Sequence, residues 1–194
     1  MRVLADVWEP GLDLVLCGTA VGPCAAERGH HYAQRGDAAW RLLHDSGLTT
    51  ALLRPDDEAL LTRHGVGLVD LVKRLPPPDP FDVAGLLRVL EQVGPGWVAF
   101  NGRVGADAVA RALGEPRPSL GRQRWTLAGA HAFVLPSSSG ANQRRDHGGR
   151  PDRLSWWAEL ASLVTESRPR LARPVRPPAP PAGTSPRSGR SAPP

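Results

Sequence analysis

The sequence is poor in the residues that carry redox, metal and covalent amine chemistry. Its 194 residues include two cysteines, one methionine, one tyrosine and three phenylalanines, and Lys73 is the sole lysine. Two thiols, Cys17 and Cys24, are too few for an all-cysteine zinc site or a four-thiolate iron–sulfur cluster, so no metal and no cofactor is expected. Cys17 ends an apolar run and reads as a buried strand residue rather than a reactive thiol. No apolar stretch approaches the roughly 20 residues of a membrane span, and the opening MRVLADVWEPG lacks the apolar core of a signal peptide. The expectation is a soluble cytoplasmic protein with no membrane partner, nucleoid-associated in a bacterium.

Acidic residues are missing from the C-terminal stretch. From Arg168 to Pro194 there are six arginines and no Asp or Glu, while the whole chain carries a formal charge of +5. The body before this tail is therefore nearly neutral, and a polyanion would be met there by a local patch rather than by net charge. The tail, rich in Pro and short of large apolar side chains, is expected to be disordered, which leaves residues 1–167 as one domain. Attraction of the tail to DNA phosphate and a plain solvated terminus are both open readings.

Phosphate loops are missing too. After the first apolar run, GTAVGPC has neither the G-x-G-x-x-G spacing of a dinucleotide fingerprint nor the Gly-Lys-Ser/Thr ending of a P-loop. Gly18 to Gly22 remain a small-residue loop whose backbone can come close to a flat polar ligand, or simply a tight strand-to-helix turn.

What is present is alternation. Short apolar runs at 12–17, 65–70, 97–100 and 131–135 read as strands. Helical spacing appears at 38–47 (capped by Asp37), 80–93, 104–113 and 154–164. Strand following helix in this way predicts an α/β fold with a mainly parallel sheet covered on both faces, and ligands in such sheets bind beyond the carboxyl ends of the strands. The loops at 18–32, 65–74, 100–103 and 136–145 are therefore the ones to inspect. They contain His31 and Tyr32, an aromatic pair with polar edges suited to a base, but no partner set that makes His30 and His31 persuasive metal ligands.

Four short stretches then stand in order on this strand pattern: GHHY (29–32) with Trp40 eight residues after Tyr32, GVGLVDLVKR (65–74), AFNGR (99–103) and VLPSSSGAN (134–142). Together, over about residues 11–165, the chain resembles the thymine/uracil mismatch DNA glycosylases of the uracil-DNA glycosylase superfamily. The resemblance implies a three-layer α/β/α sandwich with a short, mainly parallel central sheet, and hydrolysis of the N-glycosidic bond of a flipped base. The implied partner is duplex DNA with a mismatched or damaged base, bound by a monomer; acceptance of single strands is expected from the small residues Gly140 and Ala141. It places Gly18, Thr19, Ala20, Tyr32 and Asn101 at the base. His31, Arg103, Ser137, Ser138, Ser139, Gly140, Ala141, Asn142, Arg144 and Arg145 fall on the DNA, with the three serines aimed at phosphates and 140–142 filling the vacated stack. Gly140 and Ala141 make a small wedge, from which weak duplex insertion is expected.

One departure matters. Where much of that family has Gly-x-Asn-Pro-Gly, with the asparagine positioning the attacking water, this chain has Gly18-Thr19-Ala20-Val21-Gly22, and Ala20 has no group for the task. A carboxylate can orient or deprotonate water and stabilise positive charge on the sugar. Asp70, at the end of its strand, is the first catalytic candidate and Asp37 the second, although an N-cap or a salt bridge explains either without catalysis. Three readings stay open: a monofunctional glycosylase, since Lys73 alone could form a Schiff base; a DNA-binding or damage-sensing module that has lost catalysis; and, should the resemblance mislead, an α/β protein that binds a small nucleotide.

Overall fold

Strands that are apolar at nearly every position must be covered on both faces. The computed structural model, which describes residues 4–73, 81–144 and 146–168, meets that demand with five strands and five α-helices. The strands are β1 (Leu14–Gly18), β2 (Val66–Asp70), β3 (Trp97–Asn101), β4 (Gly121–Leu127) and β5 (Ala130–Leu135). The helices are α1 (Pro23–Arg28), α2 (Ala39–Asp45), α3 (Val83–Val93), α4 (Arg103–Leu113) and α5 (Leu154–Ser167), with a 3-10 segment at Pro55–His64. The sheet order is β2-β1-β3-β5-β4, parallel except for β4.

Alternation along each strand sorts the core into two layers. Leu14, Leu16, Leu68, Trp97, Ala99, Phe133 and Leu135 face α2, α5 and the 3-10 segment, packing with Trp40, Leu43, Leu61, Trp157 and Leu160. Val15, Cys17, Val69, Val98, Phe100 and Val134 face α3 and α4 through Leu86, Leu90, Ala106 and Val109. The three-layer α/β/α arrangement matches the expectation from the sequence. Cys17 is buried, with a thiol pushed well up first by that burial and then by the neighbouring Asp70 charge.

Several boundaries move. The helix expected from residue 80 begins at Val83, because the Asp82 carboxylate accepts the Gly85 N–H at 2.7 Å and caps it there; Pro80 itself lies outside the described residues. Of the expected tail at 168–194 only Arg168 is described, its guanidinium donating to Asp13 Oδ2 at 2.9 Å; residues 169–194 and Arg145 lie outside the described residues as well. β4 and the 3-10 segment are additions. The strand expected at 131–135 is the return arm of a hairpin whose turn, Ala128-Gly129, has two consecutive residues at positive φ, 45° and 85°. That is the requirement of a type I′ turn, but an alanine in its first position conceals the usual Asn-Gly signature. The exposed edge of β2 is covered by Val7, which exchanges backbone hydrogen bonds with Leu68 in both directions at 2.9 and 2.7 Å.

Ala128 holds a left-handed conformation that asparagine adopts at lower cost. Ala128→Asn is expected to stabilise the protein by about 0.5–1 kcal/mol, a rise in Tm of ~1–4 °C in a thermal melt, with no effect on any DNA-directed activity.

Candidate active site

Three adjacent parallel strands end together. Gly18 of β1 pairs in register with Asp70 of β2, and Asn101 closes β3 beside them. By the two-residue period all three share the face of Leu16, Leu68 and Ala99, so their substituents meet at the carboxyl edge of the sheet on the α2/α5 side. This is the edge at which an open α/β sheet places its ligands.

Gly18 makes the meeting feasible. A Cβ there would lie 2.0 Å from Asp70 Oδ1 and 3.2 Å from Tyr32 Oη, so any side chain at position 18 would occupy the volume of the carboxylate. Beyond it, the loop 19–22 leads into α1, and the N–H groups of Leu71 and Val72 bond to the carbonyls of Gly18 and Thr19 at 3.1 and 2.9 Å, fixing the two strand ends to each other. After α1 the chain turns through Gly29 and brings Tyr32 back over the cleft at φ 53°, a left-handed conformation for an aromatic residue. Such strain is held only where the surroundings over-determine it, and it concentrates at functional sites. A cleft of about 250 Å³ results, walled by Gly18–Gly22, His31, Tyr32, Gln34, Asp37, Asp70, Asn101 and Ser137–Ser139.

Asp70 is 5 % exposed. Burial raises its carboxyl above the usual range; attraction to His31 and Lys73 works against this without cancelling it, and Asp6 adds to the rise. Asp6 is tied to the same strand end, accepting the Asp70 N–H at 3.3 Å and the Lys73 ammonium. His31 Nε2 stands 3.5 Å from Asp70 Oδ2. The Tyr32 phenol is pushed well above its ordinary value, first by burial and then by the Asp70 charge, so it stays a neutral hydroxyl.

The opposite wall is a network centred on Ser138, which is fully buried. Its hydroxyl accepts from Asn101 Nδ2 and donates to Asp37 Oδ1, both at 2.7 Å, while its backbone N–H donates to Asn101 Oδ1 at 2.8 Å. Asp37 Oδ1 also accepts the Ala39 N–H at the start of α2, and Ala38 donates its N–H to the Ser138 carbonyl. Arg153, one residue before α5, spreads one guanidinium nitrogen over the carbonyls of Ser137, Ser138 and Ser139 at 3.0–3.3 Å. Gly140 packs on Gly36 so closely that a Cβ would lie 2.7 Å from the Gly36 carbonyl oxygen.

This geometry corrects several expectations. Ser138 cannot face a phosphate, because it is inside the protein and its hydroxyl is committed. His31 is 3 % exposed and is an interior residue between two carboxylates, not a DNA-surface residue. Asp37 Oδ1 is occupied by two donors and ties two loops together at the cleft wall; burial raises its carboxyl above the ordinary value, and those two bonds and Arg153 work against the rise without cancelling it. Asn142 turns its amide back to the Ser137 carbonyl at 3.0 Å. Ala141, Arg103 and Arg144 are exposed, as a DNA-facing rim requires, and Arg103 and Arg144 border a second cleft next to the first. Gly18, Thr19, Ala20, Tyr32, Asn101 and Asp70 are brought together as the sequence suggested. Glu58, Gln34 and Arg153 escaped notice: Glu58 lies 27 residues from the histidine it binds, and no local pattern couples them. Among the described residues no cluster of three or more His, Cys, Asp or Glu is arranged to hold a metal, and no helix is long and apolar enough to cross a membrane.

A mainly parallel sheet covered on both faces, with a polar, carboxylate-floored cleft at its carboxyl edge, defines an α/β protein with its candidate site where open α/β sheets place their ligands. The model of the uracil DNA glycosylase superfamily matches residues 5–161, and the chain belongs to that superfamily, whose members are DNA glycosylases, hydrolases that act on DNA. The fold is similar to the solution NMR structure of a candidate uracil DNA glycosylase from Methanosarcina acetivorans, with a TM-score of 0.58 over 84 % of this chain and 98 % of that one at 19 % identity.

Asp70 has a stability consequence. A carboxyl whose folded-state pKa is raised destabilises the fold at pH above that value, where it must ionise, and costs nothing once pH falls below its unfolded value. The Tm of Asp70→Asn relative to wild type is therefore expected to fall as pH is lowered from neutral toward the unfolded-state carboxyl value. Melts of the two proteins across pH check it.

Proposed function

We propose that the protein is a monofunctional DNA glycosylase that takes uracil out of G·U mismatches, and other deaminated bases with lower preference, using Asp70 where relatives use an asparagine. The observation that carries this is the buried Asp70 carboxylate set against Gly18 beneath Tyr32, at the end of the sheet where the base of a flipped nucleotide would enter.

Cleavage breaks the bond between C1′ and the base nitrogen. Electrons of that bond leave with the base, positive charge develops on the sugar, and water forms the new bond to C1′ while giving up a proton. A carboxylate beside C1′ stabilises the sugar charge and takes the proton; Tyr32 offers its ring as a surface for the base. Extrusion costs a few kcal/mol and least for a mispaired base, which favours G·U. Lys73, the sole lysine, pairs with Asp6 and is not part of the cleft wall, which supports hydrolysis over a Schiff-base lyase route. The small Gly140-Ala141 wedge supports shallow insertion into the duplex and acceptance of single-stranded uracil as well.

The test is release of uracil from a labelled G·U duplex under single-turnover conditions. Wild type is expected to leave abasic DNA that breaks only on treatment with alkali, and Asp70→Ala to lose ~10²–10⁴-fold in rate with DNA binding retained. Because the ionised form of a carboxyl with raised pKa is the working one, the rate should fall on the acid side at a pH above the usual carboxylate value of about 4. Binding of mismatched DNA without release of any base by wild type would favour the damage-sensing alternative.

A further inference from the structure

His31 is wedged between two carboxylates that lie far apart in the sequence. Its Nδ1 is 2.9 Å from Glu58 Oε2, the oxygen that also accepts the His31 backbone N–H at 2.8 Å, while Nε2 is 3.5 Å from Asp70 Oδ2. A carboxylate only accepts, so Nδ1 must carry a hydrogen. Nε2 is buried and has no hydrogen-bond partner. Were it bare, its lone pair, itself out of reach of water, would point at a carboxylate oxygen, an arrangement that costs free energy on both sides. A proton in the gap between Nε2 and Oδ2 removes that conflict.

Which side holds the proton decides whether Asp70 can work. On Oδ2 it makes Asp70 a carboxylic acid, unable to take a proton from water. On Nε2 it leaves Asp70 ionised, and the resulting imidazolium lies between two negative groups. Resting on the assignment of Asp70 as the group that activates water, we infer that Glu58 and His31 are a positioning pair that keeps this proton on the imidazole and so keeps Asp70 in its working form.

The rest of the surroundings does not substitute for Glu58. From the N-terminal segment and the far end of β2, Asp6 and Lys73 face Asp70 as a mutually paired carboxylate and ammonium. From β1 and the turn before α2, Cys17 and Tyr32 contribute a thiol and a phenol that burial keeps neutral. Behind Glu58, His30 lies 3.3 Å from Oε1 and 3.4 Å from Asp56. Glu58 is suited to the role: burial would raise its carboxyl, but the bonds from the His31 ring and backbone and the attraction of the His31 ring outweigh that and hold it below the ordinary range. It is therefore ionised wherever Asp70 is needed.

Glu58→Gln keeps the shape and removes the charge. The single-turnover rate of uracil release should converge on wild type in alkali and show an acid limb displaced upward by about one pH unit, so that the loss grows toward about tenfold as pH falls along that limb, with unchanged affinity for the G·U duplex. A rate lowered equally at every pH, or an acid limb that does not move, would overturn the inference and leave Glu58 as an anchor for the 29–32 turn. A second measurement needs no catalysis: ¹⁵N-resolved NMR of the His31 ring in DNA-free protein should show hydrogen on both nitrogens in wild type and loss of the Nε2 hydrogen in Glu58→Gln at the same pH. A bare Nε2 in wild type would refute the pair. If wild type releases no base the glycosylase reading fails, and if Asp70→Ala remains as fast as wild type the assignment of Asp70 fails with the role given to the pair, while in either case the NMR result still decides the proton's position.

Discussion

The structure of this cleft depends on one close approach: a carboxylate laid over a glycine. Register pairs Asp70 with Gly18, strand period turns both to the same layer, and only the missing Cβ leaves room for Oδ1. The surroundings follow from that placement. A buried carboxylate needs favourable neighbours, and they are found in His31 above it and in the Asp6–Lys73 pair at the strand end. Tyr32 completes the enclosure in a strained backbone conformation that the neighbouring residues hold in place. An interior group with a raised pKa works against stability, and its retention at a sheet edge that binds ligands is the signature expected of a functional group rather than a structural one.

The two sides of the cleft do different work. On one side are Gly18, Asp70, His31 and Tyr32, where charge and proton position matter. On the other, Ser138, Asp37, Asn101 and Arg153 form a hydrogen-bonded frame that holds the loop 136–142 to α2 and α5. The loop that composition alone presents as a row of exposed hydroxyls is therefore stiffened from within. What it offers outward is Ala141, with Arg144 and Arg103 at its flanks.

Much of this was legible in the sequence, and the omissions have physical reasons. The parallel strands and the cleft edge could be read because runs such as Leu14–Cys17 and Trp97–Phe100 are apolar at every position, which only a doubly covered sheet demands. The hairpin partner β4 was hidden because Ala128 stands where a turn residue is expected, although Trp125 and Leu127 alternate with exposed Arg124 and Thr126. Asp70 could be located because it ends a strand. Glu58 could not, since its tie to His31 is a tertiary contact made by a 3-10 segment with no periodic signal. Ser138 was misplaced for a related reason: sequence marks serine as polar but not whether its hydroxyl is spent on Asp37 and Asn101 inside the fold.

The account makes Asp70 the group that handles the attacking water. The most direct measurement is a crystal structure of the protein on a G·U duplex in which the target is a 2′-fluorinated deoxyuridine, whose electron-withdrawing fluorine slows loss of the base. The account predicts the uracil against Tyr32 and a water within hydrogen-bond reach of Asp70, about 2.6–3.2 Å, facing C1′ on the side opposite the base. A base seated in the cleft with that water held by other residues, and Asp70 out of reach of C1′, would contradict it.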